Sequence, residues 1–115
     1  MAEAFLDSLN YVVAISSYLG QYVACNKAFT QALGWNEDEL RDYGFADLAP
    51  PDKQQAVLEM GGAILKESGT VRRTYARPMR HKDGSYRVVE WTVWADPENR
   101  LIYGIGHVQD SAHGD

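Results

Sequence analysis

The sequence contains a single cysteine, Cys25, so it cannot form an internal disulfide bond. No apolar run approaches the roughly 20 residues that a membrane-spanning helix needs. The first residues, Met1 to Ala4, lack the basic flank and the apolar block of a signal peptide. These absences predict a cytoplasmic protein with no membrane partner.

The chain also lacks an excess of positive charge, since its formal net charge at pH 7 is -5. Such a balance disfavours non-specific binding to nucleic acid. Basic residues do gather in one segment, as they do in nucleic-acid readers; they are Arg72, Arg73, Arg77, Arg80, Lys82 and Arg87. The alternative is that long strands carry them on a solvated face, where they discourage edge pairing. The acidic total favours this alternative, and we expect no direct nucleic-acid partner.

Sequence motifs of catalysis are missing as well. The chain has no G-x-S-x-G nucleophile elbow and no phosphate-binding loop, and Gly104-Ile105-Gly106 lacks the third glycine of a dinucleotide fingerprint. Three scattered histidines and one cysteine do not have the spacing of metal ligands. We therefore predict no catalytic residue, no metal site and no enzymatic activity.

What the chain does contain is a strong hairpin signal. Two strand-like runs, Val71–Arg80 and Tyr86–Trp94, are joined through Asp83 and Gly84. Gly84 can adopt a positive φ without a Cβ penalty, and Asp83 tolerates that region better than most residues. A two-stranded ribbon of this length is not stable alone, so the remaining chain must supply further strands or a helical cover.

Three further strands are predicted, over Tyr11–Ile15, Tyr22–Cys25 and Leu101–Val108. The first two are separated by a short turn and should therefore pair antiparallel. Between them and the hairpin, helix signals fill the middle of the chain. Strands that flank a group of helices in this way indicate an α+β fold with the helices over one face of the sheet.

The first two helix signals are cap residues. Asn26 is placed to cap a helix that Gly34 would end, and Asn36 with Glu39 makes a capping box for a second helix. These caps predict two short helices in succession.

A third, longer helix is predicted from a cap at Asp52 to an end at Gly69. Its apolar stripe has near-helical spacing and consists of Val57, Met60, Ile64 and Leu65. Gly61 and Gly62 lie inside this helix, where they either allow close packing or loosen it locally.

The caps and the hairpin belong to a longer series of short motifs. In chain order they are Asn26-Lys27-Ala28-Phe29, Leu33-Gly34-Trp35, Asp38-Glu39-Leu40, Phe45-Ala46-Asp47-Leu48, Pro51-Asp52, Arg80-His81-Lys82-Asp83-Gly84-Ser85, Glu90-Trp91-Thr92 and Ile105-Gly106. This series closely resembles a PAS domain of S-box type, the sensory module of histidine kinases, cyclic-nucleotide enzymes and transcription regulators. The resemblance covers about residues 4–110. We expect residues 1–115 to form a single PAS domain with a short N-terminal lead-in and an unstructured C-terminal tail.

The resemblance implies the PAS fold, an α+β fold whose five-stranded antiparallel sheet carries a helical belt over one face. It implies a pocket between sheet and belt, and self-association through the N-terminal segment and the outer sheet face. By the same analogy Lys82 pairs with Glu39. Our hypothesis is that this ion pair ties the hairpin to the helical belt.

Two sets of candidate residues follow. The pocket candidates, each of which is also a plain core candidate, are Val13, Ile15, Phe29, Leu33, Leu48, Val57, Met60, Ile64, Tyr75, Tyr103 and His107. The dimer-interface candidates are Phe5, Leu6, Leu9, Trp91 and Trp94. Trp91 and Trp94 are three apart on one strand, so one should face the core and the other should face outward. The alternation along the last strand leaves open whether His107 faces the pocket or the outer surface.

The identity of any cofactor stays unknown, and an empty pocket is favoured. Haem-binding PAS domains usually offer a histidine from the long helix, and Asp52–Ser68 contains none. Cys25 does not match the reactive cysteine of light-sensing PAS domains, which disfavours a cysteinyl-flavin photocycle. Non-covalent flavin stays open, because Trp35, Trp91 and Trp94 can stack on an isoalloxazine ring.

The end of the chain departs from the family pattern. Many PAS domains close with an Asp-x-Thr signature that links the last strand to an output helix. Here Asp110-Ser111-Ala112 keeps the aspartate and lacks the threonine. This departure puts signal transmission by that route in question.

The sequence thus predicts a sensory or protein-interaction module of a signal-transduction protein, such as the histidine kinase of a two-component system. A ligand or partner would favour one packing of the belt on the sheet and thereby change the packing of a homodimer. The expected partners are a second copy, the output domain of a parent protein and a small-molecule ligand. The alternatives are a ligand-free dimerisation module and, more distantly, a flavin- or haem-binding redox or gas sensor or a PAS-shaped enzyme.

Overall fold

The computed structural model describes residues 11–66 and 71–109. Within them five strands form one antiparallel sheet in the order β2-β1-β5-β4-β3. The strands are β1 (Val12–Ser17), β2 (Tyr22–Cys25), β3 (Arg73–Arg80), β4 (Tyr86–Asp96) and β5 (Leu101–Val108). The predicted α+β class, the five strands and the antiparallel pairing of the first two are confirmed.

Some predictions fall on parts of the chain that the structure does not describe. They are the interface role of Phe5, Leu6 and Leu9, the helix end at Gly69 and the Asp110-Ser111-Ala112 departure, all of which lie outside residues 11–66 and 71–109.

All described helices lie between β2 and β3. They are α1 (Lys27–Leu33), α2 (Glu37–Leu40), two 3₁₀ helices (Phe45–Leu48 and Pro51–Lys53) and α3 (Gln54–Leu65). The predicted caps of α1 and α2 are confirmed. Asn26 Oδ1 accepts a hydrogen bond from the Phe29 N–H at 3.1 Å, and Asn36 and Glu39 form both bonds of a capping box.

The start of α3 differs from the prediction. Asp52 does not cap it, because Pro51 begins a 3₁₀ turn that takes Asp52 into helical conformation before α3 starts at Gln54. A proline with its fixed φ suits the first position of such a turn. The described helix ends at Leu65.

The two faces of the sheet have different roles. Along β4, Val89, Trp91, Val93 and Ala95 are buried against the helices, while the residues between them, Trp94 included, point away. The predicted opposition of Trp91 and Trp94 is therefore confirmed. The largest fully buried side chains of the core are Val12, Phe29, Leu33, Leu40, Leu48, Met79 and Val89.

The Gly104-Ile105-Gly106 segment serves packing. A Cβ at Gly106 would lie 2.3 Å from the Glu90 carbonyl oxygen and 3.1 Å from Cε3 of Trp91. Because glycine has no Cβ, the Trp91 ring can pack closely against β5.

The tip of the β3–β4 hairpin docks on the helical layer. The Lys82 N–H donates to the Leu33 carbonyl at 2.9 Å, and Trp35 Nε1 donates to the Arg80 carbonyl at 2.9 Å. Gly34, at a φ of 83°, allows this approach, since a Cβ there would lie 2.8 Å from Cε1 of His81. Backbone and indole hydrogen bonds therefore fasten the hairpin to the junction between α1 and α2.

An ion pair adds to this docking. Lys82 Nζ contacts the Glu39 carboxylate, which is the partner that the resemblance implies. The Lys82 hydrogen bond, followed by the bond from the Asn36 N–H, lowers the pKa of Glu39 below its usual value. The charged form of Glu39 is thus favoured where the hairpin meets α2.

Candidate functional site

A small cavity lies between the inner face of the sheet and α3. Its volume is about 40 Å³, room for about three water molecules or a small organic molecule. Val57, Gly61 and Ile64 of α3 form one wall, and the Phe45 ring closes part of it. A Cβ at Gly61 would lie 2.7 Å from Cζ of Phe45, so this glycine allows the ring to pack on the helix.

The opposite wall comes from the sheet. The inward-facing residues of β1 and β5 contribute small or aliphatic groups, namely Ala14, Ser16, Ile102 and Gly104. Trp91 and Val93 of β4 form the floor. This part of the wall is apolar except for the Ser16 hydroxyl.

Arg77 is the one charged residue among those that line the cavity within the described chain. It points inward from β3, and its exposed fraction is 8%. Nη2 donates to the Phe45 carbonyl at 2.8 Å, whereas Nε and Nη1 are buried and have no hydrogen-bond partner. An arginine side chain does not lose its proton in a protein, so this guanidinium is a buried positive charge.

Two phenols lie near this guanidinium. Burial raises the pKa of Tyr22 to about 12, although the Arg77 charge acts in the opposite direction. Burial likewise raises the pKa of Tyr75 above its usual value, and Arg77 again opposes the shift. Both hydroxyls therefore stay protonated at neutral pH and can serve as hydrogen-bond donors beside the arginine.

The predicted pocket residues divide into three groups. Val57, Ile64 and Tyr75 line the cavity. Phe29, Leu33 and Leu48 are fully buried elsewhere in the core, and Met60 packs against that core without lining the cavity. Whether any of these residues contacts a ligand stays a prediction.

The third group faces away from the cavity, which corrects the prediction for Val13, Ile15 and Tyr103 and decides the face that stayed open for His107. Val13, Ile15, Tyr103 and His107 lie on the outer face of the sheet, because the inward positions of β1 and β5 are Val12, Ala14, Ser16, Ile102, Gly104 and Gly106. Val13 pairs with Ile105 and Ile15 with Tyr103. His107 is exposed and approaches the Glu90 carboxylate at 3.7 Å. It therefore cannot reach the cavity as a haem ligand.

The tryptophans that kept flavin open do not meet at one place. Trp91 lines the cavity, Trp35 packs on Tyr43 with ring centroids 5.2 Å apart, and Trp94 lies on the outer face. A volume of about 40 Å³ is far below the few hundred Å³ of typical cofactor pockets. The residues around this cavity fit neither a flavin nor a haem.

One interface candidate also needs correction. Trp91 is 4% exposed and donates from Nε1 to the Met79 sulfur at 3.0 Å, so it belongs to the interior. Trp94 does lie on the outer face. It stacks on Tyr103 with ring centroids 5.7 Å apart, and the Arg72 guanidinium lies 4.3 Å above its ring.

Arg77 is the residue that sequence reasoning missed. It was grouped with the exposed basic residues of the hairpin, although Tyr75, Arg77 and Met79 alternate and must share one face of β3. Since Tyr75 was predicted to line the pocket, the same alternation predicts an inward Arg77. Tyr75 and Met79, which share that face, were therefore the signal that Arg77 points inward.

A second depression, of about 300 Å³, lies at the surface beside the first 3₁₀ helix. Its two carboxylates, Asp42 and Asp47, are exposed, and so are Leu19 and Leu58. It is larger than the cavity but has no buried polar group aimed into it, and we do not assign it a site.

Residues 11–66 and 71–109 contain neither a metal-binding cluster nor a membrane-spanning helix. No cluster of three or more His, Cys, Asp or Glu side chains has a metal-binding arrangement there. No helix in that part of the chain is long and apolar enough to cross a bilayer.

Comparison with solved structures finds the same fold in several sensory proteins. A domain of the sensory box sensor histidine kinase/response regulator from Geobacter sulfurreducens is 19% identical, with a TM-score of 0.80, and covers 92% of this chain and 90% of that chain. The PAS domain of an HTR-like protein from Haloarcula marismortui is 17% identical, with a TM-score of 0.81, and covers 94% of each chain.

The RpfR quorum-sensing receptor PAS domain from Cronobacter turicensis, in complex with C12:0, is 15% identical, with a TM-score of 0.74, and covers 88% of this chain and 95% of that chain. At these identities the likeness shows the fold alone. The comparison with curated proteins gave no match.

The family model described as PAS fold matches residues 22–108, which is most of the chain. That segment runs from the start of β2 to the end of β5 and includes the docked hairpin and the residues that line the cavity, except Ala14 and Ser16 of β1. PAS domains are sensory modules of signalling proteins such as histidine kinases. This chain belongs to the PAS-fold family.

Proposed function

We propose that this domain is the sensory module of a cytoplasmic signal-transduction protein, that it responds to a small molecule in the cavity and that it has no catalysis of its own. The observation that carries this proposal is the incomplete packing at the cavity. A protein interior normally fills its space and pairs its polar groups. Here a cavity remains beside two buried guanidinium nitrogens that have no partner.

Occupancy of the cavity would act on the element that covers it. A ligand there touches Phe45 and α3 on one side and the sheet on the other. It would therefore favour one packing of α3 on the sheet by its differential affinity for the two arrangements. Two structural neighbours support this use, since one is a domain of a sensor histidine kinase and another is a receptor PAS domain in complex with C12:0.

The readout we propose is the packing of a homodimer, which passes the change to an output domain of the parent protein. The test is sedimentation of the purified chain before and after removal of bound small molecules by denaturation and refolding, with mass spectrometry of whatever is released. We expect a small molecule in the released fraction and a change in dimer affinity or shape when it is returned. An empty protein whose sedimentation responds to no added small molecule would contradict the proposal.

The second candidate is a dimerisation module that needs no ligand. The outer sheet face favours it, because Val13, Ile15, Ile105 and the stacked Trp94 and Tyr103 are only half-buried there. Exposed apolar faces of this kind mark protein interfaces. Ile15→Glu places a charge in that face, so a dimer should dissociate, whereas Leu19→Glu is the control, because Leu19 lies in the turn between β1 and β2 and is 92% exposed. A dimer that is unaffected by Ile15→Glu would exclude this face as the interface.

A further inference from the structure

The guanidinium of Arg77 is the most unusual group of the interior. Nη2 donates to the Phe45 carbonyl at 2.8 Å, and the side chain also interacts with the Tyr22 and Tyr75 hydroxyls, but Nε and Nη1 are buried without partners. Burying an unpaired charge is costly, because the charge loses its hydration and gains no counter-charge. A lysine can shed its proton in such a place, but an arginine cannot.

No carboxylate compensates this charge from the cavity walls. Among the described residues that line the cavity, none is acidic. The arginine forms no ion pair within that part of the chain, although carboxylates pair with lysine or arginine elsewhere in it, as at Glu39 and Asp38. The cavity is therefore a small space with a positive charge on one wall and no negative charge to match it.

The remaining walls indicate which kind of anion fits. Tyr22 and Tyr75 offer neutral hydroxyls close to Arg77. Beyond them the cavity is aliphatic, with Val57, Ile64 and Ile102. Guanidinium pairs with planar carboxylates through charge-assisted hydrogen bonds, while aliphatic walls favour a ligand with a short apolar tail. An inorganic anion would leave those apolar walls without a partner.

From this arrangement we infer that the cavity binds a short-chain aliphatic carboxylate, in the size range of acetate to butyrate, with its carboxylate on Arg77 and its alkyl group against α3. The inference rests on the proposed function and gives its ligand a chemical class. It also connects the ligand to α3, since Arg77 donates a hydrogen bond to the Phe45 carbonyl and the Phe45 ring packs on Gly61 of α3.

The test is a titration of the full chain with sodium butyrate, monitored by NMR. Sodium chloride keeps the ionic strength constant. The Nε–H signal of Arg77 and the indole signal of Trp91 report on the cavity, and the indole of Trp94 is an internal control on the other face of the sheet. We expect saturable shifts at Arg77 and Trp91 and none at Trp94. Butyramide, the neutral isostere, and sodium phosphate should each bind at least about tenfold more weakly, because charge-assisted bonds and apolar contact must both be present.

The matched variants are Arg77→Met and Arg87→Met. Arg87 is an arginine of the same hairpin that lies outside the cavity and pairs with Asp83. Butyrate affinity should fall at least about tenfold in Arg77→Met and stay unchanged in Arg87→Met. If Arg77→Met does not fold, Arg77→Lys keeps the charge and should still bind, more weakly, because lysine lacks the planar array of donors.

The outcomes separate this inference from the function on which it rests. Three outcomes would overturn the carboxylate inference. They are that butyramide binds as tightly as butyrate, that phosphate binds as tightly as butyrate, or that no carboxylic acid causes a response. The first of these outcomes would leave the sensory proposal intact, since a neutral ligand would occupy the same cavity. Arg77-dependent binding of butyrate with unchanged sedimentation would uphold the inference and contradict the dimer-packing readout.

Discussion

The two ends of the helical layer are attached to the sheet in different ways. At the hairpin end, the Lys82 N–H, the Trp35 indole and the Glu39 carboxylate each find a partner across the junction, and Gly34 brings the two elements into contact. At the cavity end, the Phe45 N–H donates to the Gly20 carbonyl at 2.9 Å and the Phe45 carbonyl accepts from Arg77, but two nitrogens of that arginine are unpaired beside the cavity.

This contrast indicates that the hairpin end and the cavity end differ in how readily they rearrange. A region whose polar groups are all paired has one preferred arrangement, because any movement exposes or breaks those bonds. A region with a cavity and an unpaired charge breaks fewer hydrogen bonds and packing contacts when it rearranges. A ligand that fills the cavity and pairs with the charge would stabilise it more. We therefore expect the hairpin end to serve as the fixed point and α3 as the part that responds.

The largest effect should come from Met79→Ala near the hairpin end. Met79 is 0% exposed, and its sulfur accepts the Trp91 Nε1 hydrogen bond at 3.0 Å. Truncation leaves a void and a buried indole N–H without a partner, so unfolding in urea should show a loss of about 3 kcal/mol. Met79→Leu keeps the volume and should cost less than about 1.5 kcal/mol. Equal, small losses in both variants would mean that this end is loosely packed.

Gly34→Ala should have the next largest effect. The new Cβ would sit at a φ of 83° and 2.8 Å from Cε1 of His81, so we expect a loss of about 2 kcal/mol in the free energy of unfolding. Gly62→Ala is the control, because a Cβ there meets no atom within 4 Å. It lies inside α3 and should gain up to about 1 kcal/mol. A tolerated Gly34→Ala would remove the steric basis of the fixed point.

A smaller effect, from the Glu39–Lys82 ion pair, should be present at neutral pH and disappear in acid. The pKa of Glu39 is lowered from 4.5, first by Lys82, so this carboxylate stabilises the fold above pH 4.5. That contribution should disappear as the pH falls through the lowered value. Thermal unfolding of the wild type should therefore lose more stability than Glu39→Gln over that range. Parallel pH profiles for the two proteins would show that the ion pair does not fasten the hairpin.

The smallest effect on stability should come from Arg77→Met at the cavity end. The variant loses one hydrogen bond to Phe45 and also removes two unpaired buried nitrogens. These contributions oppose each other, so the free energy of unfolding in urea should stay within about 1 kcal/mol of the wild type. A loss above about 3 kcal/mol would show that Arg77 is a structural residue and would remove the contrast between the two ends.

Much of the fold could be predicted because its signals are local. The Asn26 and Asn36 caps depend on residues three positions away, and the turn at Gly84 depends on its own φ of 94°. Asp52 was assigned wrongly for the same reason, since a proline next to it changed the start of α3. Local patterns predict caps and turns well, except where an adjacent residue such as Pro51 favours a different local conformation.

The cavity could be predicted only in part. Val57 and Ile64 of α3 and Tyr75 of β3 were predicted to line the pocket, and they do line the cavity. Val13, Ile15 and Tyr103 were assigned to the wrong face and the face of His107 stayed open, because alternation shows which residues share a face without showing which face the helices cover.

The sequence by itself determined the family, the order of the elements and the alternation of each strand, because cap residues, turn residues and hydrophobic periodicity act over a few positions. Only the tertiary structure decided which face of the sheet the helices cover, and so turned Arg77 inward and left two of its nitrogens unpaired. The physical reason is that burial and the pairing of a charge depend on groups far apart in the chain, such as Phe45 and Arg77, which meet only when the sheet and the helices pack together.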